Sequence, residues 1–296
     1  MDSSPLRNRL LLLAAAFLFS TGGAAIKSAT LTGWQVASFR SGVAALVLLL
    51  VFPEARRGWS WRIVPVAAAY AATLITFVLA NRLTTAADAI FLQSTAPLYL
   101  LLLGPLLLRE PIRRADLLYM AAVGAGMTVF FLGTESAVAT APDPPRGNLV
   151  AAASGLLYAV MLAGLRWLGR RPEGNKGMAT VALGNILACL AALPLALPVR
   201  AGAADNVVVI LYLGVVQIGV AYVCLTRAIG HVRALEAATL LMLEPAMNPL
   251  WAWLVHGERP GIWSLGGGAV ILSATLANTW RQSREAANRV QQITEQ

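Results

Sequence analysis

The chain has 296 residues, of which 58% are hydrophobic and only 12% charged, about half the charged share of an ordinary soluble domain. Too few polar groups remain to cover a water-facing surface, which excludes a soluble globular fold. The formal net charge of +9 does not point to nucleic acid either, because the basic residues gather at the ends of apolar runs and form no stripe interleaved with aromatics.

Apolar runs of about 20 residues, the length that spans a hydrocarbon core roughly 30 Å thick, follow one another along the chain. The first covers roughly residues 9–27. Arg7 and Arg9 precede the apolar stretch Leu10 to Phe19 and small residues at Ala24 and Ala25, as in a cleavable signal peptide. The internal repeat described below needs this segment, so it is read as a retained first helix. Further spans are expected at roughly 34–52, 62–80, 86–108, 115–133, 147–168, 177–198, 206–228, 234–255 and 262–280. Turn and charge signals separate them: Pro53 with Arg56 and Arg57, Arg109–Glu110–Pro111, Pro142 with Pro144 and Pro145, and Arg170–Arg171–Pro172. No run alternates polar and apolar residues as a barrel strand must. The polar tail after Trp280 is expected to form a short solvated helix.

Arginine and lysine orient these spans. With the amino terminus in the cytoplasm, only Lys27, Arg82, Arg146, Arg200 and Arg259 fall on the far side. Arg40 lies inside a span, and the other 17 of the 23 basic residues fall on the cytoplasmic side. That asymmetry supports ten spans with both termini inside. Cys189 and Cys224 each sit within an apolar run and imply neither a disulfide nor a metal framework.

The two halves resemble each other. Pro97 lies 13 residues before Glu110, and Pro245 lies 13 residues before Glu258. The same offset of 148 pairs Asp88 with Glu236 and Ala89 with Ala237. Five spans per half is an odd number, so the second half enters the membrane from the opposite side. The expected architecture is therefore an all-α polytopic membrane protein, ten transmembrane helices as two inverted five-helix repeats around a central cavity. The repeats are expected at 1–138 and 139–281, with a polar cytoplasmic tail at 282–296. Pro97 and Pro245 are candidate hinges, where a proline frees backbone groups that a cavity can use; ordinary kinks held by packing are the alternative.

Several motifs are similar to those of the drug/metabolite transporter superfamily, in its ten-helix form built from two EamA-type repeats. Glu244–Pro245 followed by Trp253–Leu254–Val255–His256–Gly257–Glu258 resembles the family's glutamate-proline and terminal glycine-glutamate pattern. Pro97 with Leu107–Leu108–Arg109–Glu110 is the first-half version, departing where the family commonly has glycine before the glutamate. Arg40 in Ser38–Phe39–Arg40–Ser41–Gly42 matches an arginine early in the second span. The resemblance implies a single ten-helix unit, working as a monomer, whose cavity is lined by the first four helices of each half, with the fifth and tenth peripheral. Within the superfamily, the general likeness is to bacterial exporters of aromatic and other neutral amino acids.

Polar residues inside spans are costly there and tend to face the bundle interior. Glu244, Asn248 and Trp251 share one helical face. Glu244 can bind a substrate amine or carry a proton; it can equally hydrogen-bond a backbone loosened by Pro245. Arg40 can receive a carboxylate, snorkel to the interface or join two helices. Tyr70, Thr73, Phe77 and Asn81 form a stripe in the third span, and Tyr212, Gly219, Tyr222 and Thr226 one in the eighth. Gln93, Tyr99, Tyr158 and Gln217 add further polar groups. The candidate substrate cavity is thus Tyr70, Thr73, Phe77, Gln93, Tyr99, Tyr158, Gln217, Tyr222, Asn248 and Trp251, with Glu244 and Arg40 as its charges. Mostly apolar walls with a few orienting groups suit neutral, partly aromatic solutes. Trp34, Trp59, Trp61 and Trp263 read as interfacial anchors, and Gly124, Gly126 and Gly266–Gly268 as packing positions.

The expected function is a secondary transporter of the bacterial inner membrane, exporting small metabolites by alternating access. Aromatic or other neutral amino acids lead, with amines and nucleosides as alternatives. A channel-like pore would want a continuous polar path or charged ring. No catalytic constellation, cofactor or metal site is expected: His231 and His256 belong to opposite membrane faces, and there is no nucleophile elbow or cluster of zinc ligands. Lipid and a small-molecule substrate are the expected partners.

Overall fold

The computed structural model describes residues 5–107, 114–132, 137–169, 176–199, 203–228, 231–232 and 240–294. Regular structure among them is helical, apart from one isolated bridge between Val138 and Ala141. A helix satisfies its own backbone polar groups, and lipid offers them no other partner.

In chain order the helices are α1 (Pro5–Ser20), α2 (Gly22–Ser28), α3 (Gly33–Val51), α4 (Pro53–Arg56), α5 (Ile63–Leu83), α6 (Ala86–Gln93), α7 (Ala96–Leu107), α8 (Arg114–Leu132), α9 (Pro144–Gly169) and α10 (Gly177–Ala196). After a 3₁₀ turn at Ala203–Asn206 come α11 (Val207–Leu211), a π-helical stretch Tyr212–Val220, α12 (Ala221–Ala228), α13 (Leu243–His256) and α14 (Ile262–Thr294). Local chemistry sets several ends. Thr32 Oγ1 accepts from the Gln35 N–H at 3.2 Å while Gln35 Oε1 accepts from the Thr32 N–H at 3.0 Å, a reciprocal capping box on α3. Thr85 caps α6 by accepting from the Asp88 N–H at 3.0 Å. Gly257 ends α13 at φ +65°, a left-handed position that a residue with a Cβ adopts only under strain.

Among the described residues, seven helical stretches are long and apolar enough to cross a membrane: Leu6–Ser28, Gly33–Val51, Ile63–Leu83, Ala86–Leu103, Pro144–Leu165, Gly177–Ala196 and Val207–Ala228. A shorter apolar segment, Asp116–Val129, lies within α8. The expected ninth span is described only from residue 240, and the carboxy-terminal run continues as one helix to Thr294 without a break after Trp280. Glu110 and Glu236, both used to align the two halves, lie outside the described residues.

Two expected spans are not simple α-helices. The fourth divides at Ser94–Thr95, just before Pro97, into α6 and α7. The ninth has a turn at Met242, just before Pro245. Ser94 and Met242 stand 148 residues apart, the offset that also separates the two prolines. In the eighth span, the π stretch widens the helix and shifts the register on which the stripe from Tyr212 to Thr226 was read.

The bundle centre is α3, α5, α9 and α10, with α5 packed most extensively on α9 and α10 on α3. α1 packs on α12 and α13. α8 and α14 pack on each other, where Gly126 leaves room for Ile271 and the Gly267 carbonyl, and the Arg281 guanidinium pairs with Asp116. Trp59, Trp61 and Trp263 are exposed, whereas Trp34 packs partly against the core.

Candidate functional site

A cavity of about 190 Å³ opens among α1, α3, α5, α6, α9, the π stretch, α12 and α13. Its volume is below the roughly 300–1,000 Å³ of drug-sized sites. Aromatic rings come from Phe19, Phe77, Tyr158 and Tyr222, hydroxyls from Thr73 and Ser94, amides from Gln93 and Gln217, and ionisable groups from Arg40 and Glu244; Pro245 also lines it. Ser94, at the break between α6 and α7, lines the wall next to Gln93, the last residue of α6. Gln93 Nε2 donates to Ser154 Oγ at 2.8 Å, which holds its amide between α6 and α9.

Arg40 is 1% exposed and therefore does not snorkel. Its Nη2 donates to the Leu74 carbonyl of α5 at 3.1 Å, while Nε has no hydrogen-bond partner. Tyr70 stands behind the wall, where its hydroxyl accepts from Asn185 Nδ2 at 3.3 Å and its ring meets Tyr222 edge-on at 5.6 Å. Asn248 is fully buried and is not among the lining residues. Trp251 is committed to α1: its Nε1–H donates to Ser20 Oγ at 2.9 Å and its ring meets Phe17 edge-on at 5.6 Å. Tyr99 and Pro97 lie on α7 and are not among the lining residues. The structure thus brings together Thr73, Phe77, Gln93, Tyr158, Gln217, Tyr222, Arg40, Glu244 and Pro245. Phe19 and Ser94 also line the cavity, and sequence reading did not single them out; a lone phenylalanine in an apolar run carries no signal. α10, α8 and α14 contribute no lining residue.

Beyond one end of the cavity the bundle is sealed. Along α5 the wall residues Thr73 and Phe77 give way to the fully buried Asn81 and then to Arg82 and Thr84. Along α13, Glu244 gives way to Asn248 and then to Glu258 just past the helix end. These elements converge on Gly23, where an added Cβ would stand 2.5 Å from Asn248 Oδ1, 3.0 Å from the Ala86 Cβ and 3.1 Å from Asn81 Oδ1. Only glycine admits that approach.

Further along lies a buried ion pair. Lys27 Nζ and Glu258 Oε2 are 2.9 Å apart, each side chain 3% exposed. The ammonium also donates to the Thr84 carbonyl at 2.8 Å and to the Thr140 carbonyl. Glu258 Oε1 accepts from the Ala86 N–H at 2.6 Å, at the positive end of α6. Arg82 Nη1 donates to the Ala29 carbonyl at 2.9 Å, and His256 Nε2 lies 2.8 Å from the Ala24 carbonyl. In the opposite direction the cavity lining reaches Leu165 and Leu225, near the ends of α9 and α12 at Gly169 and Ala228.

No group of three or more potential metal ligands occurs among the described residues. Comparison with known proteins places this arrangement. The EamA-like transporter family matches residues 8–132 and again 145–280. The pseudopaline exporter of Pseudomonas aeruginosa, in strains UCBPP-PA14 and PAO1, is 30% identical over 285 residues, covering 90% of this chain and 94% of its own. A solved crystal structure aligns at a TM-score of 0.59 and 19% identity, covering 90% of this chain and 96% of that one, a likeness of fold alone. With a family match over both halves and a relative along nearly its whole length, this chain belongs to the EamA-like transporter family, within the drug/metabolite transporter superfamily.

Proposed function

We propose that the chain exports small metabolites, foremost aromatic or other neutral amino acids, across the bacterial inner membrane by alternating access. The observation that carries this reading is a cavity sealed at one end by the layer at Gly23 and the Lys27–Glu258 pair, and reaching toward the other end. The arginine and lysine asymmetry makes the sealed end periplasmic and the cavity side cytoplasmic. A solute would enter from the cytoplasm and leave when that seal parts. The ten-span, two-repeat architecture supplies the moving bodies, one half rocking on the other around a midplane site. The breaks before Pro97 and Pro245 lie at one offset in the two halves, and are read as the hinges. Four aromatic rings at the wall favour aromatic solutes.

The relatives in Pseudomonas aeruginosa favour a second reading, in which the solute is of the pseudopaline kind. The test is export of labelled phenylalanine from proteoliposomes holding the purified chain, in competition with pseudopaline, amines and nucleosides. Saturable movement of phenylalanine, with which amines and nucleosides do not compete, is expected. Stronger competition by pseudopaline would favour the second reading. No solute-dependent movement at all would defeat both, and single-channel currents in planar bilayers would replace them with a pore.

A further inference from the structure

The cavity presents two ionisable side chains of opposite kind that form no ion pair among the described residues. Arg40 comes from α3 and Glu244 from α13, and both line the same space. Arg40 spends one N–H on the Leu74 carbonyl and has no partner at Nε. Glu244 makes neither a hydrogen bond nor an ion pair among the described residues, and the two do not pair with each other. Elsewhere the fold joins its buried charges: Lys27 to Glu258, and Arg281 to Asp116. Arg40 is buried and Glu244 half-buried at the cavity wall, and a charge held away from bulk water is costly unless it is paired, so two such groups facing one cavity call for a partner that enters it.

We infer that Arg40 and Glu244 are the two poles of one substrate site, which takes a zwitterion: a carboxylate on the guanidinium and an ammonium on the carboxylate. This rests on reading the cavity as the transport site, and it narrows the substrate class. A solute with a single charge leaves one pole unpaired. An uncharged solute leaves both. A free amino group and a free carboxylate on one small frame satisfy both, within a volume of about 190 Å³. Such a solute adds no net charge to the cavity, so a loaded site carries none across the hydrocarbon core. A guanidinium matches a carboxylate in planar geometry, while the aromatic walls face the apolar remainder.

The test uses the purified full-length chain in two assays: uptake into proteoliposomes, and the ligand-induced rise in unfolding temperature in detergent, which needs no transport. The probes are phenylalanine and alanine, each as the free amino acid, the N-acetyl derivative and the amide. The unaltered chain is expected to prefer at least one free amino acid over both its derivatives by about tenfold or more. Glu244→Gln is expected to erase the preference over the N-acetyl form and keep that over the amide; Arg40→Gln does the reverse. Glu244→Asp and Arg40→Lys keep both preferences. If Arg40→Gln fails to fold, the Glu244 arm and the discrimination by the unaltered chain still decide. Discrimination in unfolding temperature without uptake supports the site and defeats the exporter reading. Discrimination by the alanine set alone supports the site and removes only the aromatic preference. Uptake of all three forms alike, or equal loss of both preferences in each variant, overturns the two-pole site and leaves the exporter reading standing. No uptake and no shift with any probe overturns both.

Discussion

The cavity and the sealed end beside it treat charged groups in opposite ways. At the sealed end, Lys27 makes three contacts, Glu258 takes an ion pair and a helix amide, and Arg82 donates to the Ala29 carbonyl just past α2. At the cavity, Arg40 is half-used and Glu244 makes no hydrogen bond or ion pair among the described residues. The first region has spent its charges on holding the fold together, although Asn81 Oδ1 and both polar atoms of the Asn248 amide in the Gly23 layer are buried without a hydrogen-bond partner among the described residues; the second has kept its charges for something that comes from outside. Stability and transport should therefore respond to different substitutions.

The largest stability loss is expected for Lys27→Met, which strands the Glu258 carboxylate in a dry site. Breaking a buried pair costs about 3–5 kcal/mol, while replacing both partners with apolar residues restores much of it. Thermal unfolding of Lys27→Met and of Lys27→Met with Glu258→Leu measures this; equal stability of the two variants would mean that the pair is not what holds that end. Next comes Gly23→Leu, which forces a side chain into the contact with Asn248, Ala86 and Asn81. Overpacking of this kind costs about 1–3 kcal/mol, and transport should fall with it, because the seal cannot re-form. Trp251→Phe should lose the hydrogen bond to Ser20 and part of the ring packed on Phe17, about 1–2 kcal/mol together, and leave substrate preference unchanged in the proteoliposome assay. Smallest of all is Tyr158→Phe. Tyr158 lines the cavity and its hydroxyl has no hydrogen-bond partner among the described residues, so stability should stay within about 0.5 kcal/mol. Its effect belongs in the KM for solute, and a large drop in unfolding temperature would erase the contrast between the two regions.

The contrast was only partly legible in the sequence. Apolar runs announced the membrane, because a length of about 20 residues is imposed by the bilayer itself. Arg40 and Glu244 were legible for the same reason: a charge inside such a run needs an explanation. Lys27 and Glu258 were not legible as a pair. They stand 231 residues apart, each beside a loop, where an ordinary solvated charge looks the same. Trp251 and Asn248 fit the helical face of Glu244, but the direction a face points depends on which helix packs there, and α1 and α2 claim both residues for packing. The stripe in the eighth span was read on an α-helical period, and nothing in Tyr212–Val220 signals the π turns that displace it. The break at Ser94–Thr95 lies beside a proline and was legible as a weak point; the division into two helices there depends on tertiary contacts.

The unequal commitment of polar groups bears on how such a protein can change over generations. At the cavity, a substitution at Tyr158 or Gln217 breaks no hydrogen bond made among the described residues, so single replacements can accumulate there and alter the solute without endangering the fold. At Lys27 and Glu258 a single replacement leaves a stranded charge, so descendants should carry either both residues or neither. Across related sequences, the sealed end would then show paired exchange and the cavity wall independent drift, which is how one helical scaffold comes to serve many cargoes.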